Sequence, residues 1–423
     1  MKPHIAFLLC STLLGLSACQ KNAPPAPTGN GQYSAQTWVL PAEQGSLAPD
    51  LARAPDGRVL LSWVKRTEGR RNVLQFASYT EQDGWQSQPR TIAVGNSLLA
   101  NAADTPHIMA TPDGALWVQW LQTLPESPSG YDVVLARSKD GGMRWEQITR
   151  VNSDGTAAEH GFASLWPVGE DALGVAWLDG RAKKPAEMPM EHAQMAHMHM
   201  QGDMQLRANL FDLNLSRGED AVVDARTCDC CQSVAVLTSK GPLLAWRDRS
   251  EEEERDIAVA RLQGTVWSAP TLVHADHWRV ESCPVSGPAM AAQGDQVVLG
   301  WYSEAGGTPL LQLAHSSNAG DSFGAPVVLE KEAATLGRIA MGLDTQQAWV
   351  AWLRETSEGQ TLMLARYTPD LSKRLQTLEV AKLGAKGMAS GYPKLAVGQD
   401  MAWLVWTDVS NGVPHVKGAR ITR

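Results

Sequence analysis

Helical periodicity is almost absent from this chain of 423 residues, which argues against helix bundles and α/β layouts. Basic charge is also scarce. There are 37 Lys and Arg against 45 Asp and Glu, a formal net charge of −8, so nucleic-acid binding has no electrostatic basis and no such partner is expected. The apolar stretch near the N-terminus, beginning Ile5-Ala6-Phe7-Leu8-Leu9, is too short to span a bilayer as a helix. Tyrosine occurs six times, and none stands out as a nucleophile. Cysteine also occurs six times, two of them in the leader-like first residues. Tryptophan is the exception, with sixteen copies.

Seven of those tryptophans end a short apolar run: Trp63, Trp120, Trp177, Trp246, Trp301, Trp352 and Trp406. Their separations are 57, 57, 69, 55, 51 and 54 residues. A period near 55 means one supersecondary unit stacked on itself. Each Trp run follows a turn, Pro55-Asp56-Gly57 and Pro112-Asp113-Gly114 being the clearest. Proline presets the first turn residue there and glycine accepts a positive φ. A third run alternates with period two, as in Val73-Leu74-Gln75-Phe76-Ala77, and a fourth closes most units. Four short antiparallel strands repeated around an axis make an all-β propeller. Seven units predict seven blades; if one unit only imitates the pattern, the ring has six. The last unit ends after its third strand. Residues 33–40 belong to no unit, so they are expected to supply the missing outer strand and close the ring. The tryptophans are read as packing between blades.

The first residues read as a targeting segment. A basic start, a short apolar stretch and Leu16-Ser17-Ala18-Cys19 match a secretory leader and resemble the bacterial lipobox. Residues 1–18 are then a signal peptide, Cys19 is the lipidated residue, 19–32 is a flexible tether, and 33–423 is one propeller domain. Gln20 is not the aspartate of an inner-membrane retention signal. The expected location is the bacterial cell envelope, lipid-anchored at the outer membrane and facing the periplasm or the surface.

Two turns carry a family resemblance. Ser138, Asp140, Gly142 and Trp145 fit Ser-x-Asp-x-Gly-x-x-Trp, and Ser316, Asn318, Gly320 and Phe323 repeat it. They stand 18 and 15 residues past their Trp runs. In such a turn the acid or amide caps the backbone, glycine takes the strained position and the ring packs beneath. The chain therefore resembles the sialidase-like Asp-box propellers over nearly its whole length after the leader. That resemblance implies the fold. It also implies a three-arginine clamp for a sugar carboxylate, a tyrosine–glutamate nucleophile pair and an aspartic acid. The first clamp arginine precedes a proline in the family; here the position reads Ala48-Pro49. The family sialidases have six blades, a second departure. Cys-Asp-Cys-Cys-Gln, Trp-Arg-Asp-Arg and Cys-Pro-Val together resemble a set of bacterial envelope proteins called sialidase-like by fold.

In a propeller the connections that lead into each inner strand share one face with those after each Trp strand. The unusual residues map there. The 69-residue unit holds a Met/His-rich connection, in which His192, Met195, His197, Met198, His199 and Met200 are the expected ligands of copper or another soft ion. The alternative is an amphipathic helix whose methionines, Met204 among them, fill a groove. Cys228, Cys230, Cys231 and Cys283 lie in two neighbouring loops. An even number in an oxidising compartment reads as two disulfides, one joining Cys283 to the 228–231 group, with three pairings open. The functional alternative is a thiolate metal or redox site; Cys-x-Cys-Cys is not a zinc spacing. Arg181, Arg247 and Arg249 are placed at the mouth as an anion site, with a solvated, self-paired loop as the alternative. Asp104, His107, Glu159, His160, Asp179 and Tyr392 fall on the same face.

The reading is a non-hydrolytic envelope lipoprotein that binds a soft metal, with an envelope protein as a possible partner. A sialidase-related hydrolase acting on an acidic sugar, with Asp104 or Asp179 as acid, is the alternative. A pure protein-interaction scaffold is the third.

Overall fold

A computed structural model describes residues 31–423, apart from 68, 70, 87, 126, 128, 146–147 and 186–199. Residues 32–423 form one compact unit. The calls on the signal peptide, Cys19 and most of the tether therefore lie outside the described residues.

The unit is a seven-bladed propeller of antiparallel four-stranded sheets. Blade one runs Ser46–Arg53, Val59–Arg66, Asn72–Thr80 and Arg90–Gly95 from the axis outward. Blade two is His107–Ala110, Leu116–Thr123, Tyr131–Ser138 and Thr149–Arg150. Blade three is His160–Val168, Ala172–Asp179, Met204–Phe211 and Ala221–Thr227. Blade four is Val234–Thr238, Gly241–Arg247, Ile257–Gln263 and Thr271–His274. Blade five is Ala289–Gln293, Gln296–Ser303, Leu310–Ser316 and Val327–Lys331. Blade six is Thr335–Leu343, Ala348–Thr356, Gly359–Tyr367 and Arg374–Leu383. Blade seven has Lys394–Val397, Ala402–Ser410 and Val413–Thr422. Its fourth strand is Ser34–Thr37, antiparallel to the last, with Ser34 opposite Thr422. The expected closure is observed, over four residues rather than eight, with one further backbone bond from Trp38 to Gly418.

Alternation explains how the blades stick together. Successive residues of a strand point to opposite faces, and each blade has a neighbour on both. Leu243 and Ala245 pack toward blade five, while Leu244 and Trp246 pack toward blade three. Among the described residues the buried apolar side chains fall into seven clusters, one per blade–blade interface. All seven repeat tryptophans are buried. Three of them also reach across: the indole N–H groups of Trp246, Trp301 and Trp352 donate to Asp224, Asp276 and Glu330 of the preceding blade. A buried indole N–H gains from a hydrogen-bond partner, and these three bonds tie each blade to the one before it.

The turns that begin at Ser138 and Ser316 share a wiring. Gly142 N–H donates to Ser138 Oγ at 2.9 Å, and the Met143 and Arg144 N–H groups donate to Asp140 Oδ1, each at 2.9 Å. Gly320 N–H meets Ser316 Oγ at 2.9 Å and Ser322 N–H meets Asn318 Oδ1 at 3.1 Å. Trp145 stands edge-on to Phe76 of blade one, and Phe323 packs into the blade four–five cluster. Both turns follow a third strand, on the face opposite the loops that enter the inner strands.

Candidate functional site

Two groups of side chains gather where the chain enters the inner strands. The first surrounds the axis. A cavity of about 300 Å3 is lined by the starts of the inner strands and the loops entering them, including Asp50, Asp104, His107, Gln232, Tyr392 and Lys394. A bulge in blade one, where Ala48 has φ of 51°, turns Asp50 inward. Its carboxylate accepts the Ile108 N–H at 3.0 Å, stands 3.1 Å from His107 Nδ1 and lies 3.7 Å from Lys394 Nζ. Burial pushes this acid up, but His107, Lys394 and the Ile108 N–H outweigh it and hold its pKa at about 2. Asp104 behaves in the opposite way. One oxygen accepts the Phe162 N–H at 2.6 Å; the other is buried with no hydrogen-bond partner among the described residues. Burial outweighs that bond and the field of Lys394, and raises its pKa to about 7. Sequence reading found Asp104 and His107 but missed Asp50 and Lys394. Each sits alone in its own strand, and only ring closure brings blade seven against blade one.

The second group is sulfur. Cys230 and Cys283 form a disulfide that links the loop entering blade four to the loop entering blade five. The expected second disulfide is absent. Cys228 and Cys231 are buried thiols with their Sγ atoms 3.2 Å apart. The Cys231 thiol hydrogen-bonds Cys228 and lowers its pKa against the penalty of burial, and the Arg255 guanidinium, 3.3 Å away, adds to the effect. Cys231 moves strongly upward, mainly because it is buried. The sulfurs of Cys228, Cys230 and Cys231 all lie within 4.8 Å of one another.

This loop is tied to the base of the Met/His connection. Lys183 Nζ donates to Asp229 Oδ1 at 3.2 Å, and beside it Arg226, in the outer strand of blade three, pairs with Asp203 at 3.0 Å. Between Lys183 and Asp203, Lys184–Pro185 pairs with Met200–Gln201 as a two-stranded ribbon. His192, Met195, His197, Met198 and His199 lie outside the described residues, as does the side chain of Met200. Met204 is not a surface methionine: it starts the third strand of blade three and is buried in the blade three–four core.

The three arginines expected to form an anion clamp are engaged with the protein. Arg247 lies inside the wall, not at the mouth. It donates to the carbonyls of Ser286, Arg255 and Tyr302 at 2.8, 2.6 and 2.8 Å, and its guanidinium lies over the Trp278 ring. Arg249 is paired with Glu253 and Asp229. Arg181 forks onto Asp179 and reaches Asp220. The alternation Trp246-Arg247-Asp248 was the one signal that Arg247 continues the strand. Asp179 is buried under Arg181 and the Trp177 indole N–H. With buried His160 and half-buried Asp154 it forms a second cluster of titratable side chains.

No protein-family model matches the chain, and no curated protein matches it. Among solved structures it is similar to the polysaccharide lyase Uly1, with a TM-score of 0.54 at 8% identity over 89% of this chain and 90% of the lyase. It also overlaps the Trypanosoma rangeli sialidase, with a TM-score of 0.48 at 13% identity over 88% of this chain and 59% of that one. For the NanB sialidase of Streptococcus pneumoniae the TM-score is 0.46 at 8% identity, over 86% and 83%. The likeness to Uly1 is one of fold alone, a scaffold that many chemistries share.

Proposed function

We propose that this protein is a lipid-anchored propeller of the bacterial envelope that takes up a soft metal ion, copper foremost, at the Cys228–Cys231 thiols and the neighbouring Met/His connection, and that it does not hydrolyse glycans. The observation that carries this reading is the buried thiol pair, 3.2 Å apart, in a loop ion-paired to the base of that connection. Thiolate and thioether are the donors that select Cu(I). Charge supports the same ion. Two thiolates around a monovalent cation leave one negative charge, and Arg255 stands beside Cys228 to offset it. A divalent zinc ion on the two thiolates would leave the arginine's charge unmatched. When bound, the ion would supply a site for transfer to a partner or for electron exchange. The protein's own residues hold the sulfurs together, keep them from water and fix the loop.

The test is metal content. The full chain, purified from the envelope fraction under reducing conditions, retains copper; the Cys228→Ser/Cys231→Ser variant, still folded, loses most of it. Copper-free protein that also fails to take up added Cu(I) ends the reading.

A second reading rests on a separate observation. Asp104, with a pKa near 7, faces a cavity that also holds the Asp50–His107–Lys394 group. A carboxylic acid poised near neutrality can serve as general acid or base. This supports a glycan-processing site at the axis, hydrolytic or eliminative. Release of product from an acidic glycan or a fluorogenic sialoside, abolished in Asp104→Asn, establishes it. The absence of turnover across both substrate types removes it.

A further inference from the structure

We propose that the Cys230–Cys283 disulfide is a redox gate on the neighbouring thiols, and that its reduction converts a two-sulfur site into a three-sulfur site for a soft monovalent ion. This rests on reading Cys228 and Cys231 as metal ligands, and it adds Cys230 as the third.

The geometry comes first. The Cys230 sulfur already lies within 4.8 Å of both thiol sulfurs, but its bond to Cys283 occupies it. Three thiolates hold a soft ion more tightly than two. Exposure then sets the order of events. Cys228 and Cys231 are buried, Cys230 is half-buried and Cys283 is exposed. A reductant from solution meets Cys283 first. A thiolate of a dithiol reductant attacks Cys283 Sγ, and the electron pair of the disulfide leaves on Cys230 Sγ, beside the other two sulfurs. The reductant's second thiolate then attacks its own sulfur in the mixed disulfide and frees Cys283. In total the dithiol is oxidised to a disulfide, and two electrons and two protons pass to Cys230 and Cys283. Attack on the exposed sulfur is the accessible route, and it is the one that delivers Cys230 inward.

The pocket does not depend on the disulfide for its shape. The loops that the disulfide joins are also held by Gly287 N–H on Gln232 Oε1 at 3.0 Å, by Ser286 N–H on Cys231 Sγ at 3.3 Å, and by Arg247 on Ser286 O at 2.8 Å. Reduction therefore frees one ligand while the other two stay in place.

The test measures Cu(I) affinity by competition with a chromophoric chelator. Ascorbate keeps the copper reduced while leaving the disulfide intact, and a phosphine opens the disulfide in a parallel sample. The expected result is that phosphine-treated full-length protein binds Cu(I) about tenfold or more tighter than disulfide-intact protein, a gain of about 1.4 kcal/mol or more. Cys283→Ser shows the tight form with ascorbate alone. Cys230→Ser/Cys283→Ser, with circular dichroism and melting as the check on folding, shows only the weaker form whatever the reductant. Equal affinity before and after phosphine, with both forms losing binding in Cys228→Ser/Cys231→Ser, overturns the gate while the thiol-pair reading stands. A double variant that binds as tightly as reduced wild type overturns the third ligand. Absence of binding to any form overturns both.

Discussion

Single residues show why the partners of a buried polar group, not its residue type, decide what it does here. Asp50 and Asp104 line the same cavity, yet one is held near 2 and the other is pushed to about 7. The difference is that Asp50 has cationic partners and Asp104 has mainly a desolvated position. Asp104 therefore reverses the usual carboxylate behaviour. Its folded value lies above the 3.8 of the unfolded chain, so the native state holds a proton that the unfolded state releases between those values. Stability falls as pH rises from about 4 to about 7, then levels off. Asp104→Asn keeps the acceptor for Phe162 N–H and removes the ionisation. The variant should match wild type near pH 4 and exceed it at pH 8 by on the order of 2–4 kcal/mol, read from melting curves across pH. Lys394, Tyr131 and Glu159 are the neighbouring titratable groups, and they remain in both proteins. Parallel curves would show that Asp104 ionises freely. Arg247 makes the complementary case. Its three carbonyl acceptors need the planar fork, which lysine lacks. Arg247→Lys should lower stability by about 2–4 kcal/mol by leaving buried carbonyls unpaired, measurable by denaturant unfolding. Wild-type stability in that variant would place Arg247 at the mouth after all.

At the level of elements, the recurring turns do more than cap their own strands. Gly142 and Gly320 have φ of +83° and +88°, and a Cβ on either would fall 2.2 Å from the Phe76 ring or 2.3 Å from Leu243. Both contacts are to the preceding blade, so each turn needs glycine for its backbone and for the interface beneath it. Gly142→Ala combines the positive-φ penalty with overpacking and should cost about 2–4 kcal/mol, seen as a lower melting temperature. A neutral effect would mean the Phe76 ring can yield. These elements were readable in the sequence because local chemistry dictates them: turn residues, alternation, and a tryptophan wherever a strand enters the interface. The sulfur loop was readable only as far as its location. Its pairing depends on which Cβ vectors meet once blades four and five are side by side, and spacing left three solutions open. The arginines read as an anion site because a charged run after a strand is placed at the mouth until the carbonyls around Arg247 are seen to hold it inside the wall.

On the scale of the whole molecule, ring closure is what turns scattered residues into sites. Asp50 and Lys394 stand at opposite ends of the domain's sequence and meet only because blade seven packs on blade one. The N-terminal strand Ser34–Thr37 completes that blade, and its flanks Tyr33 and Trp38 are buried against blades six and one respectively. Removing residues 31–40 should expose the edge of Val413–Thr422, lower the melting temperature and promote association through that edge, visible by light scattering. A monomeric variant of unchanged stability would show that closure needs no outer strand. The period of the tryptophans made the ring legible. The axial site was legible only in part: Asp104 and His107 stand out in the sequence, whereas Asp50 and Lys394 come from blades one and seven, whose meeting sequence distance conceals. The central claim, a soft-metal site built on the Cys228–Cys231 pair, is tested most directly by Cu(I) titration of the reduced full chain beside its Cys228→Ser/Cys231→Ser variant. The account predicts a thiolate-to-copper charge-transfer band that saturates in the first and is missing in the second. Identical titrations of two equally folded proteins would contradict it.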